Sequence, residues 1–159
     1  MSPLSIRLDL ADPAATEAMG AKLAQALLQR PGLVVFLHGD LGAGKTTLVR
    51  GWLRQLGATG AIRSPTYTLV EPYELDGRSL LHLDLYRLSD AAELEQLGVY
   101  DTPPESSVWL VEWPERGAGQ LPEPDLKIFL QVAAAGREMR LEASQAIAPM
   151  LTDSGQFPG

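Results

Sequence analysis

Apolar and polar positions alternate over residues 4–10 (LSIRLDL), the pattern of a strand with one buried face. The period then changes. Ala15, Met19, Leu23 and Leu27 recur every four residues, which predicts the buried stripe of a helix over 12–30. Asp12 is its expected N-cap, Pro13 stands at the first helical position, where its missing N–H costs nothing, and Gly32 stops it. Residues 33–38 (LVVFLH) form a short continuous apolar run, as in a strand buried on both faces. A glycine-rich turn follows, then a second helix from Lys45 closed by Gly57.

The second half reads as strands and hairpins. Pro65 pushes the residue before it to extended geometry, so 61–68 is a loop entering a strand. Residues 68–75 and 78–86 flank Asp76-Gly77, a strong hairpin signal. Pro72 assigns the first of these to a sheet edge. Residues 89–98 predict a short helix capped by Ser89 and closed by Gly98, and 107–113 (SVWLVEW) a second buried strand. After a loop over 114–125, residues 126–143 read as a closing hairpin that turns near Gly136. The expected fold class is α/β, a mixed sheet flanked by helices with antiparallel hairpin additions. Residues 1–145 are expected to form a single domain and 146–159 a flexible tail.

Composition narrows the picture little. At 159 residues, 45% hydrophobic and 21% charged, the chain suits one soluble domain. A net charge of -7 argues against a stand-alone nucleic-acid binder, which leans on Lys and Arg. No cysteine is present, which removes disulfides, thiolate zinc sites and a cysteine nucleophile and fits a cytoplasmic protein. The first residues, MSPLSIRLDLADPA, lack a basic start followed by an apolar block, so no secretory signal is expected.

The specific chemistry lies at Gly39-Asp40-Leu41-Gly42-Ala43-Gly44-Lys45-Thr46, which matches G-x-x-x-x-G-K-[ST] at every fixed position. Entered by a buried strand and left by a helix, such a loop turns successive N–H groups toward phosphate oxygens. The positive end of the helix dipole adds to them. Lys45 is expected to reach the β- and γ-phosphates, Thr46 to bind Mg²⁺ through its hydroxyl, and Thr47 to donate to the α-phosphate. The fold expectation sharpens to a P-loop NTPase-like sheet. For His38, beside the loop, a structural role is favoured over a chemical one.

Nucleotide-bound magnesium usually takes a further contact from an acid at the end of a buried strand. Asp84 and Glu112 both qualify. Glu112 has the cleaner preceding strand, but the pattern alone does not choose between them. Thr66, in the Ser-Pro-Thr that follows the phosphate-loop helix, is a candidate γ-phosphate sensor. The pattern does not assign the adenine contacts; the hairpin around Ala133 to Gly136 and the segment near Asp12 are the places to look for them.

Three classes compete. A GTPase reads guanine with Asn-Lys-x-Asp, and the chain contains no asparagine and no D-x-x-G after the loop. A small-molecule kinase usually clamps phosphates with several lid arginines, but regions 60–66 and 114–124 offer only Arg63 and Arg116. The third class is an ATPase whose nucleotide state controls a partner. Arg87 is a candidate arginine finger, or equally an ion-pair partner on the hairpin.

GDLGAGKTTLVRG, SPTYTLVEPY, LLHLDLYRL, ELEQLGVYD and VWLVEWPERG follow in that order, and from about residue 14 to about 142 the chain resembles the TsaE family. The resemblance implies a small P-loop domain that binds ATP or ADP with Mg²⁺ and hydrolyses ATP slowly by itself. It implies TsaD and TsaB as partners, whose complex transfers threonylcarbamoyl to adenosine 37 of tRNAs reading ANN codons, so that tRNA is met only through them. TsaC makes the adenylate that they use. The family's role is to regulate or reset that complex. By the resemblance, Lys45 and Thr46 are the phosphate and metal residues and Glu112 becomes the favoured metal carboxylate. Asp84 becomes a catalytic or switch acid acting through water, Thr66 gains weight as a switch residue, and Trp113 lies beside the site, where substitution is expected to harm function.

Overall fold

The computed structural model describes residues 4–62 and 65–157; Arg63 and Ser64 lie outside them. Seven strands form one sheet in the order β1-β7-β6-β2-β5-β4-β3. They are β1 (Leu4–Leu10), β2 (Leu33–His38), β3 (Val70–Leu75), β4 (Arg78–Asp84), β5 (Val108–Glu112), β6 (Leu126–Ala133) and β7 (Gly136–Ala143). The two continuous apolar runs, β2 and β5, pair in parallel at its centre, and β4 and β6 extend the parallel block. The two hairpins close the sides. β3 runs antiparallel to β4 at an edge, where Pro72 forfeits no ladder bond on its open side. Asp76 and Gly77 both take positive φ (52° and 78°), the geometry of a tight two-residue hairpin. β7 runs antiparallel to both β6 and β1.

The period of two along each strand sorts side chains onto two cores. Leu33, Val35, Leu37, Leu80, Val108 and Leu110 join the larger one, with helices α1 (Pro13–Ala26) and α2 (Lys45–Gln55). Val34, Leu81, Leu83, Trp109 and Val111 join the smaller one, under the segment that follows β4. Asp12 caps α1 as expected, its Oδ1 accepting from Ala15 N at 2.8 Å. The two helices touch backbone to backbone. A Cβ added at Gly20 would stand 2.0 Å from the Leu48 carbonyl oxygen, and one at Gly51 would stand 1.8 Å from that of Glu17. Only hydrogen fits at either position, which explains two glycines inside helices that they would otherwise weaken.

Two expectations are corrected. The helix over 89–98 shrinks to α3 (Glu93–Gln96), and Ser89 is not its cap. Asp90 Oδ1 instead accepts from Ala92 N at 2.9 Å, although Gly98, with φ 70°, does end the turn. The residues expected to form a flexible tail contain a helix, α4 (Ala148–Asp153), and Ile147, Leu151 and Phe157 are buried in the larger core. Ile147 and Leu151 stand one helical turn apart, so a single turn buries both. The Pro, Ser, Asp and Gly around them masked that spacing.

Candidate functional site

Because β2 ends at His38 and α2 begins at Lys45, the residues between them must reverse the chain within one tight loop. Gly42 and Gly44 do so with φ of 79° and 108°. The N-cap of α2 is Gly44, which has no side chain to cap it, in contrast to Asp12 at α1, so among the described residues the N-cap position leaves the first-turn amides to another partner. The Lys45 side chain folds back under the loop. Its ammonium donates to the carbonyls of Gly39 and of Asp40, the latter at 3.4 Å, and sits 3.8 Å from the centroid of the Trp113 ring. Burial lowers the Lys45 pKa, and the nearby Glu112 and Asp84 carboxylates oppose that shift.

Strand alternation brings the acids to this point. Asp84 shares a face with Leu80, and Glu112 shares one with Val108 and Leu110, so both project toward the side covered by α2. Both end their strands, are register partners, and are buried. The Thr46 hydroxyl donates to Glu112, 3.1 Å from Oε1 and 3.2 Å from Oε2. Burial raises the Asp84 pKa, with a smaller push from Glu112, and the Tyr86 N–H, donating to Oδ1 at 3.1 Å, restrains the rise.

Trp113 follows β5 in the left-handed region (φ 57°, ψ 49°), which a bulky residue seldom adopts. Pro114 then opens a 3₁₀ turn, and the indole lies over Lys45 with its ring 4.9 Å from that of Tyr86.

A cavity of about 410 Å³ opens over these groups. Of the residues singled out by sequence, Leu41, Gly42, Ala43, Gly44, Lys45, Thr46, Thr47, Thr66, Asp84, Glu112 and Trp113 all line it. Asp40 does not: it is exposed and turns its carbonyl toward Lys45. Ala11, Asp12, Gly136 and Arg137 line the same cavity. His38 stacks on Phe129 with ring centroids 4.7 Å apart and lies 3.2 Å from Glu115; burial lowers its pKa despite that carboxylate. Arg87 is exposed, its guanidinium 4.8 Å from the Tyr67 ring centroid, and does not line the cavity.

Two residues had no role assigned from sequence. Arg137 Nε donates to the Ala43 carbonyl at 3.2 Å and Nη2 to that of Gly42 at 3.0 Å, so β7 grips the phosphate loop. It lies 94 and 95 positions away and carries no local signal. His82 is fully buried, with Nε2 2.6 Å from Glu112 Oε2. Its signal was a polar residue two positions before Asp84 in an otherwise apolar strand.

The donors suit a magnesium nucleotide. Carboxylate and hydroxyl oxygens are the hard ligands that Mg²⁺ takes, alongside phosphate and water. No group of three or more His, Asp or Glu among the described residues forms a metal cage, so such an ion would depend on the nucleotide for several ligands.

A buried parallel strand, a glycine turn and a helix with glycine at its N-cap, with acids ending the neighbouring strands, define an α/β protein of the P-loop class. The family model for the threonylcarbamoyl adenosine biosynthesis protein TsaE matches residues 10–140, and the chain belongs to that family. It is 46% identical over 127 residues to the tRNA threonylcarbamoyladenosine biosynthesis protein TsaE of Haemophilus influenzae, covering 78% of this chain and 80% of that one. It is 41% identical to the protein of that name from Bacillus subtilis over 122 residues, 77% of this chain and 75% of the other. The crystal structure of Bacillus subtilis YdiB superposes with a TM-score of 0.76 at 29% identity, covering 98% of this chain and 97% of YdiB.

Proposed function

We propose that this chain binds ATP with magnesium in the cavity above α2 and hydrolyses it slowly. In this reading it acts in the cytoplasm, and its nucleotide state regulates or resets a TsaD–TsaB complex. That complex forms threonylcarbamoyladenosine at position 37 of tRNAs reading ANN codons. The observation that carries the reading is the convergence of Lys45, Thr46, Asp84 and Glu112 on one cavity at the end of the parallel strands. Family membership supports the pathway.

The Lys45 ammonium, now held by loop carbonyls, moves to the β- and γ-phosphate oxygens. Loop amides stabilise the charge that develops on them. The Thr46 hydroxyl and Glu112 would hold the metal, which when bound neutralises phosphate charge. Asp84, beside Glu112 and with a raised pKa, orients the attacking water. Thr66 senses the γ-phosphate from the facing loop. Arg87 is turned onto Tyr67, and Arg137, which lines the cavity, is engaged by the loop carbonyls of Gly42 and Ala43; both arrangements support slow turnover alone and completion by a partner. The net charge of -7 supports reaching tRNA only through that partner.

The test is to compare γ-phosphate release by the chain alone and with TsaD and TsaB, using labelled ATP. Faster release of inorganic phosphate in the mixture is expected. Equal rates reject partner completion, label on an organic acceptor rejects the ATPase reading for a kinase, and binding without release rejects turnover.

A further inference from the structure

His82 sits in β4 with its side chain fully buried, on the same face as Asp84 and two positions before it. Its cross-strand neighbours are Glu71 of β3 and Leu110 of β5. Nε2 stands 2.6 Å from Glu112 Oε2, whereas Nδ1 has no hydrogen-bond partner among the described residues. An ionised carboxylate only accepts, so Nε2 carries the proton of this bond. A buried ring nitrogen without a partner is unfavourable. An apolar residue at this position would avoid that cost but would leave Glu112 without its buried donor.

Glu112 needs such a donor because of its surroundings. Asp84 is its register partner, and two neighbouring carboxylates repel one another. The Thr46 hydroxyl also donates to it, shared between Oε1 and Oε2. That hydroxyl is also the group expected to turn toward a metal, so it cannot anchor the carboxylate while doing so. The bond from His82 is the one that persists.

We propose that His82 is a positioning residue: its Nε2–H fixes Oε2 of Glu112, so that the carboxylate stays beside Thr46 in the cavity lining. His82 itself touches neither metal nor nucleotide. The proposal rests on the reading of Glu112 as the metal-facing acid. It predicts that His82 governs metal affinity and not nucleotide affinity as such, since partners that orient a ligand typically change metal affinity by about 10–100-fold.

The experiment uses the full chain with ADP and Mn²⁺, with bound metal read from the paramagnetic resonance signal of free Mn²⁺. His82→Leu and His82→Met remove the donor at similar volume, so that one poorly folding variant does not decide the matter. His82→Gln retains an N–H near the Nε2 position. Glu112→Ala reports on the underlying reading. We expect about a tenfold weaker Mn²⁺ affinity of the ADP complex in the Leu and Met variants, recovery of most of it in the Gln variant, and ADP affinity in EDTA within about twofold of the parent. Unchanged Mn²⁺ affinity in the Leu and Met variants, or a Gln variant as impaired as they are, overturns the positioning role. If Glu112→Ala weakens Mn²⁺ binding and the His82 variants do not, only the positioning role falls. If Glu112→Ala itself leaves Mn²⁺ binding unchanged, the metal reading falls, and the role of His82 with it.

Discussion

Asp84 and Glu112 are register partners at the ends of adjacent parallel strands, so the sheet itself sets two buried carboxylates side by side. Burial and the neighbouring charge raise the Asp84 pKa in the folded state. An acid with a raised folded pKa takes up protons more readily folded than unfolded, so its ionisation costs stability once the pH exceeds that pKa. The cost fades as the pH falls through the folded and then the unfolded pKa. Asp84→Asn keeps an acceptor for the Tyr86 N–H and removes the charge. The nucleotide-free variant is expected to melt higher than the parent at pH 7, and the gap should close as the pH approaches 4. A Tm difference that is flat with pH, or a less stable variant at pH 7, contradicts this assignment of strain.

Lys45 and Thr46 should separate by metal dependence. Losing a charged hydrogen-bond donor to phosphate costs about 1.5–3 kcal/mol, about a 10–100-fold loss of affinity. Lys45→Ala is therefore expected to weaken ADP binding by that factor with or without magnesium. Thr46→Ala should weaken it only when magnesium is present, because its hydroxyl faces Glu112 and not the loop. Calorimetric titrations of both variants in magnesium and in EDTA decide the matter. Identical profiles for the two variants count against the division of roles.

Local patterns made most of this architecture legible. The apolar runs of β2 and β5, the Asp12 cap, the edge-strand Pro72 and the Asp76-Gly77 turn each act within a few residues, and each appears as read. The loop residues and both acids were equally visible, since a strand end and a glycine turn are sequence features. What stayed hidden depends on the fold as a whole. Arg137 reaches the loop only because β7 folds back beside β6. His82 gains meaning only once β4 lies beside β5. Ile147, Leu151 and Phe157 looked like part of a frayed end because three spaced apolar residues do not reveal that a core has room for them.

That last correction is testable through stability. Leu151 is fully buried in a one-turn helix that borders α1. Leu151→Ala is expected to destabilise the chain by about 2–5 kcal/mol, as buried leucine truncations do. Truncation after residue 145 should cost at least as much. Urea unfolding followed by circular dichroism measures both. A loss below about 0.5 kcal/mol, the scale of surface changes, would restore the view of these residues as a dispensable tail.

The contact between α1 and α2 gives a sharper steric case. Gly51→Ala would place a methyl 1.8 Å from the Glu17 carbonyl oxygen, so α1 and α2, the helix that begins at the phosphate loop, must part to admit it. Overpacking of this kind costs about 1–3 kcal/mol. The variant is therefore expected to lower Tm and to weaken ADP binding together. A variant with parental Tm shows that the helices part freely.

Trp113 provides an optical report of occupancy. The chain has three tryptophans, and Trp52 and Trp109 are buried at 2% and 0% exposure, whereas Trp113 lines the cavity with the Lys45 ammonium 3.8 Å from its ring centroid. If phosphates draw that ammonium off the ring, the surroundings of one indole change and those of the other two do not. Adding ADP and magnesium is then expected to change tryptophan emission saturably, with the midpoint found by calorimetry. Trp113→Phe should abolish the optical change while still binding ADP, since a phenyl ring can also face the cation. Lys45→Ala should weaken the response together with affinity, whereas Tyr86→Phe should preserve it, because Tyr86 touches Trp113 through its ring. A full emission change in Trp113→Phe would mean that nucleotide binding reaches the buried cores, and that the Lys45–Trp113 contact is not what phosphate displaces.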